Sequence, residues 1–119
     1  MLKITKFGGS SCASAEQFRK VRAIIEFDPS RRFVVVSAAG RKTKKDNKIT
    51  DLLYLCRAHV DYHVDYHPVF EIIRARFLEI KAELGLSTPI EADLDALCEK
   101  LPDLSVDELV SRGEYFTAR

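Results

Sequence analysis

The sequence predicts an α/β fold, and three observations carry that expectation. Leu2-Lys3-Ile4-Thr5 alternates apolar and polar residues, the pattern of a strand with two unlike faces. Phe18, Val21, Ile24 and Ile25 then recur at helical spacing, with Arg19, Lys20, Arg22 and Glu26 between them. Phe33-Val34-Val35-Val36 is an unbroken apolar run, which suits a strand buried on both faces of a parallel sheet. Strand, helix and strand in this length make a βαβ unit, whose crossover is expected to be right-handed.

The first strand meets Gly8-Gly9, followed by Ser10 and Ser11. Two adjacent glycines remove the side chains that would hold a ligand away from the backbone. Backbone N–H groups, serine hydroxyls and the neighbouring Lys6 together suit phosphate oxygens. The spacing is neither a Walker A loop nor a dinucleotide fingerprint. Taken alone, the stretch is equally a tight turn whose serines lead into the next helix. Ser14 to Gln17 then forms a capping box, and Asp28-Pro29-Ser30 ends the helix. The second strand finishes in Ser37-Ala38-Ala39-Gly40, another turn of small residues. In open parallel sheets the ligand crevice lies beyond the carboxyl ends of the strands, so both turns should open onto one edge. That coincidence favours a binding site over two unrelated turns.

Arg41, Lys42, Lys44, Lys45 and Lys48 make the following loop basic. It reads as a solvated loop or as a flap over a phosphate-bearing ligand. No aromatic residues interleave, which argues against nucleic acid. Thr50 is expected to cap a helix carrying Leu52, Leu53, Leu55 and Cys56. His59, His63 and His67 would fall near one stripe of a continuing helix, drifting about 40° per step. No H-E-x-x-H arrangement accompanies them, so an exposed polar stripe is favoured over a metal site. Pro68 suits the first turn of the next helix, whose core face is Val69, Ile72, Ile73, Arg76, Phe77, Ile80 and Leu84, with Gly85 as its C-cap residue. Thr88-Pro89 starts a further helix through Leu94, Leu97, Cys98 and Leu101. Residues 50–101 thus read as a helical insertion that covers one side of the sheet as scaffold. Ser105 to Glu108 is a second capping box, and Gly113 inside the last helical stretch marks a close contact or a helix crossing. Glu114 stands beside it.

The 119 residues are 46% apolar and 31% charged, with a net charge of +1. This is the balance of a folded soluble domain, with no global field to recruit nucleic acid or an anionic membrane. Cys12, Cys56 and Cys98 lack metal or redox spacing and read as reduced thiols in a cytoplasmic setting. Two strands are few for this much helix, so the sheet looks unfinished and the chain reads as the N-terminal piece of a longer protein.

Four segments resemble one family. Lys6-Phe7-Gly8-Gly9-Ser10-Ser11 is similar to the opening motif of aspartokinases, in the amino acid kinase superfamily. Val35 to Gly40 resembles their second-strand motif, Ile49-Thr50-Asp51-Leu52-Leu53 the segment after it, and Arg112-Gly113-Glu114 their G-E element. The resemblance implies a parallel-sheet sandwich of the amino acid kinase type, incomplete here because the adenine-binding half and the regulatory ACT domains are missing. It implies transfer of the γ-phosphoryl group of ATP, with Mg²⁺ carried by the nucleotide, to the β-carboxylate of L-aspartate. The product is 4-phospho-L-aspartate, at the head of lysine, threonine and methionine biosynthesis. Carried over by position, Lys6 is the catalytic cation, and Lys6, Gly8, Gly9 and Ser10 hold the ATP phosphates. Ser37, Thr50 and Glu114 hold aspartate, with no metal ligand among the side chains. Thr43 rivals Thr50, because the loop before Ile49 is longer than in many relatives. The partners implied are L-aspartate and ATP, with no nucleic acid or membrane, and a homo-oligomer at full length. The rival readings are a non-catalytic binding or structural fragment, and a sibling kinase acting on acetylglutamate, glutamate or UMP.

Overall fold

The computed structural model describes residues 2–43 and 46–119. Strand β1 (Lys3–Phe7) and strand β2 (Arg31–Val36) pair in parallel, joined by helix α1 (Ala15–Phe27). Ile4 lies beside Phe33, Lys6 beside Val35, and Phe7 beside Val36. A short 3₁₀ turn at Ser10–Cys12 leads from β1 into α1. The local signals work as their chemistry dictates. Ser14 caps α1 by accepting from the Gln17 N–H at 3.4 Å, and Asp28 ends the helix in an extended conformation.

The two faces of this ribbon have different fates. Phe7 and Val36 turn towards α1 and pack with Cys12, Phe18, Val21 and Ile25. The register puts Ile4, Phe33 and Val35 on the opposite face. There Ile4 stays 75% exposed and Phe33 55%. The expectation that β2 is buried on both faces is therefore corrected. Among the described residues β2 pairs with β1 alone, and no helix lies over its second face. On α1, Ile24 is exposed, because the helix contributes only a narrow stripe to this small cluster.

The larger core is helical. Helices α2 (Ile49–Asp61), α3 (His67–Leu84) and α4 (Ile90–Lys100) are followed by a 3₁₀ turn at Leu101–Asp103 and by the short helices α5 (Val106–Val110) and α6 (Arg112–Ala118). Ile49, Leu52, Leu53, Phe70, Ile73, Leu94, Leu101 and Leu109 are fully buried together. At about 1.5–3 kcal/mol for each such side chain, this cluster outweighs the few residues buried beneath the sheet. The helices were expected to cover a face of the sheet. Instead they build their own core, which reaches the strands at their carboxyl ends through Ala39. Ile72, expected on the core face of α3, is solvent-exposed, and so is Leu55 of α2.

The histidine stripe does not exist as a stripe. Helix α2 ends at Asp61, His63 takes a left-handed backbone (φ 58°), and His67 opens α3. His59 Nδ1 lies 2.8 Å from the Leu55 carbonyl oxygen, and His67 Nδ1 lies 2.6 Å from Asp65. A continuing helix was assumed, and the chain reverses instead. Pro68 sits in the first turn of α3, and Gly85 ends it with φ 66°. Ser105 caps α5, accepting from the Glu108 N–H at 3.2 Å. No helix among the described residues is long and apolar enough to cross a membrane.

One ion pair closes the strand end of the molecule. Lys3 Nζ donates to Asp28 at 2.6 Å, and the Ser30 N–H and hydroxyl donate to its other oxygen at 2.9 and 2.7 Å. These bonds, that from Lys3 foremost, hold the Asp28 carboxyl well below the usual carboxylate range. A carboxyl depressed on folding stabilises above its unfolded value of 3.8 and loses that contribution as pH falls below it. An Asp28→Asn variant should melt below the parent at pH 7, and the gap should shrink below pH 3.8. Melting curves at the two pH values check this, and a gap constant with pH refutes it.

Candidate functional site

The site is built where two turns touch backbone to backbone. The Gly40 N–H donates to the Gly9 carbonyl at 2.8 Å, and the Ser37 N–H donates to the Phe7 carbonyl at 3.0 Å. A β-carbon added at Gly40 would lie 2.6 Å from the Gly9 carbonyl carbon and 2.9 Å from the Ser10 nitrogen. Only glycine permits that approach. The two small-residue turns therefore open onto one edge, as the sequence predicts.

Between them lies a crevice of about 650 Å³, lined by Gly9 and Ser10 on one side and by Ser37 to Arg41 on the other. Lys48, Thr50 and Asp51 complete it from the start of α2. Thr50 is not the cap of that helix. Lys48 holds the cap position and the Ile49 N–H donates to the Ala39 carbonyl at 3.1 Å, so the helix begins two residues earlier. Ile49 is fully buried, and this anchoring sets Thr50 in the first turn beside the crevice. Gly113 of α6 presses on the same wall. A β-carbon there would lie 2.7 Å from the Ala38 β-carbon and 3.5 Å from the Ile49 side chain. Of the two readings of Gly113, the close contact holds, and its partner is the crevice turn.

Of the residues singled out from sequence, Gly9, Ser10, Ser37 and Thr50 come together around this crevice. Gly8 is exposed at its lip, with open space where a β-carbon would stand. Lys6 is exposed on β1, and Glu114 is exposed on α6 next to Gly113; neither lines the crevice. The Thr43 N–H donates to Asp46 at 3.0 Å, outside the lining. Lys44 and Lys45 of the basic loop lie outside the described residues. The sequence reading missed the individual lining roles of Arg41, Lys48 and Asp51; the basic loop was the signal for the two cations, and the Ile49 to Leu53 segment for Asp51.

The lining places the cations Arg41 and Lys48 beside the hydroxyls of Ser10, Ser37 and Thr50 and the carboxylate of Asp51, an arrangement suited to an anionic ligand with a polar acceptor. Nucleophilic cysteine chemistry is a poor fit. Cys12 is buried beneath the turn, where burial raises its thiol pKa, and burial pushes Cys56 up to about 11.

Comparison with known proteins gives the geometry a family. No family model matches the chain. It is 37% identical over 99% of its length to aspartokinase 3 of Bacillus subtilis. By fold it superposes on the crystal structure of Clostridium acetobutylicum aspartate kinase with a TM-score of 0.91 and 45% identity, over 95% of this chain. The chain is an aspartokinase homologue. It spans about a quarter of the length of the curated relatives it matches, 28% of the Bacillus protein, and 26% of the Clostridium chain. Escherichia coli aspartokinase III, solved with aspartate and ADP, matches over 98% of this chain and 27% of its own, with a TM-score of 0.75. At 24% identity that likeness is one of fold. The described elements, a two-stranded parallel sheet and its helices, are thus an α/β portion of an aspartokinase fold.

The glycine contact generates a sharp contrast. Gly40→Ala should destabilise the chain by about 1–3 kcal/mol through overpacking against backbone, whereas Gly8→Ala should leave stability nearly unchanged. Denaturant titration of both variants checks this; equal midpoints for the two would show that the turns do not depend on the contact.

Proposed function

We propose that this chain supplies the phosphate and acceptor crevice of an ATP-dependent aspartate kinase, and that its two strands belong to a larger parallel-sheet sandwich. The observation that carries the proposal is the Gly9–Gly40 contact, which sets Ser10 across one crevice from Ser37 and Thr50. The reaction is transfer of the γ-phosphoryl group of ATP to the β-carboxylate of L-aspartate, giving 4-phospho-L-aspartate. Aspartokinase relatives supply the choice of acceptor.

Phosphoryl transfer needs positioning and charge neutralisation more than covalent chemistry from the protein. The acceptor carboxylate is itself the nucleophile, so no activated side chain is required. The fit to a nucleotide rests on bare glycine backbone, which lets phosphate oxygens approach, and on the cations Arg41 and Lys48 in the lining. The magnesium ion of the nucleotide supplies further charge neutralisation when bound. In this reading the Lys6 ammonium swings from the end of β1 to the transferring phosphoryl group, while Gly8, Gly9 and Ser10 cradle the phosphates. The Ser37 and Thr50 hydroxyls orient aspartate, and Glu114 pairs with its ammonium group from α6. The exposure of Lys6 and Glu114 leaves both side chains room to turn towards ligand.

In the full-length gene product, Lys6→Ala should cut kcat by at least about 10²–10³ while the melting temperature holds. Glu114→Ala should raise the KM for aspartate about tenfold or more with a smaller change for ATP. A hydroxamate assay for the acyl phosphate measures both; a Lys6→Ala enzyme of normal rate removes that assignment. The 119-residue chain alone should read near background, since one face of its sheet is uncovered.

A further inference from the structure

Helix α3 contributes no residue to the crevice lining, yet it holds the segment that forms one wall. The Arg76 guanidinium is half-buried against that segment. Its Nη2 donates to the Gly40 carbonyl, and its Nη1 donates to the Asn47 carbonyl at 2.6 Å. These carbonyls stand at or near the two ends of the basic loop. Three residues further along the same helix, Glu79 accepts from Lys42 at 2.6 Å. The grip is thus fastened at three points, all on one rigid helix.

The chemistry is specific to arginine. A planar guanidinium presents donors in a fixed fork and can serve two carbonyls at once, whereas a lysine ammonium is a single point of donation. Partial desolvation costs the cation some of its hydration, with Asp46 and Glu79 offsetting it from nearby. The two carbonyls accept from both of its terminal nitrogens. What they gain is a fixed position, and Gly40 carries that position directly into the crevice through its N–H bond to Gly9.

We propose that Arg76 is a positioning residue for the crevice. It holds Gly40 and Asn47 at fixed separation, so that Ser37 and the first turn of α2 with Thr50 keep their spacing. It touches no substrate and acts through the two backbone carbonyls. The consequence for aspartate binding rests on the kinase reading above; the mechanical role does not.

The experiment uses Arg76→Lys, which keeps charge and stem but loses the fork, beside Glu79→Gln, which loosens Lys42 and removes a nearby charge while keeping the fork. Both are made in the full-length gene product and first shown to melt within a few degrees of the parent. Hydrogen exchange tests the grip: the Gly40 and Ile49 amides should exchange about tenfold or more faster in Arg76→Lys, with strand β1 unchanged. Steady-state kinetics test the consequence: the KM for aspartate should rise roughly ten- to hundredfold, with kcat and the KM for ATP changing far less. Glu79→Gln should show a smaller effect of the same kind. Unchanged exchange at Gly40 and Ile49 overturns the grip. Faster exchange with an unaltered aspartate KM overturns the positioning role. A parent protein inactive on aspartate overturns the kinase reading instead, and the exchange result then decides the grip alone.

Discussion

The close approach of Gly9 to Gly40 is the constraint on which the rest of this structure depends. Two chain reversals, each at the end of a parallel strand, come within hydrogen-bonding distance because neither carries a side chain at the point of contact. Everything useful about the site follows from that closeness. Hydroxyls from separate elements face one volume, and the start of α2 is tied to the same turn by the Ile49 N–H. A ligand that enters meets backbone as well as side chains, which is what an anion with several oxygens needs.

The turn is supported from behind by a helical core much larger than the sheet cluster. Ala38 meets Gly113, Ala39 joins the core around Ile49, and Gly40 is gripped by Arg76. Three successive residues of one wall are thus fastened to three different helices. This division of labour separates stability from recognition. Burial among the helices fixes the wall, and the wall presents small residues and backbone to the ligand.

How far the site was legible in sequence depends on how local each signal is. Ser14, Ser105 and Gly85 declare helix ends because a cap is satisfied within a few residues. The glycine and serine turns were legible as chemistry, and the βαβ connection placed them at one edge. The cap of α2 falls two residues before Thr50, at Lys48, because the acceptor for the first helical N–H is a distant carbonyl rather than a neighbouring side chain. The histidines at 59, 63 and 67 make a stripe only on a continuing helix, and α2 ends at Asp61 with His63 in a left-handed backbone before α3 begins. Arg76 read as part of a core face, because nothing in its neighbourhood names the two carbonyls it serves.

What the sequence by itself determined is the parallel βαβ unit, most helix ends and the two turns that make the crevice, all of which rest on spacing and on the conformational freedom of glycine. Tertiary structure alone decided which apolar residues are covered, so that Phe33 and Val35 of an unbroken hydrophobic run face solvent while Phe7 and Val36 do not. It also decided which distant cation holds the wall in place. The physical reason is the same in both cases. Periodicity records what a residue needs from its surroundings, but the partner that meets the need is chosen by where the chain brings its elements together.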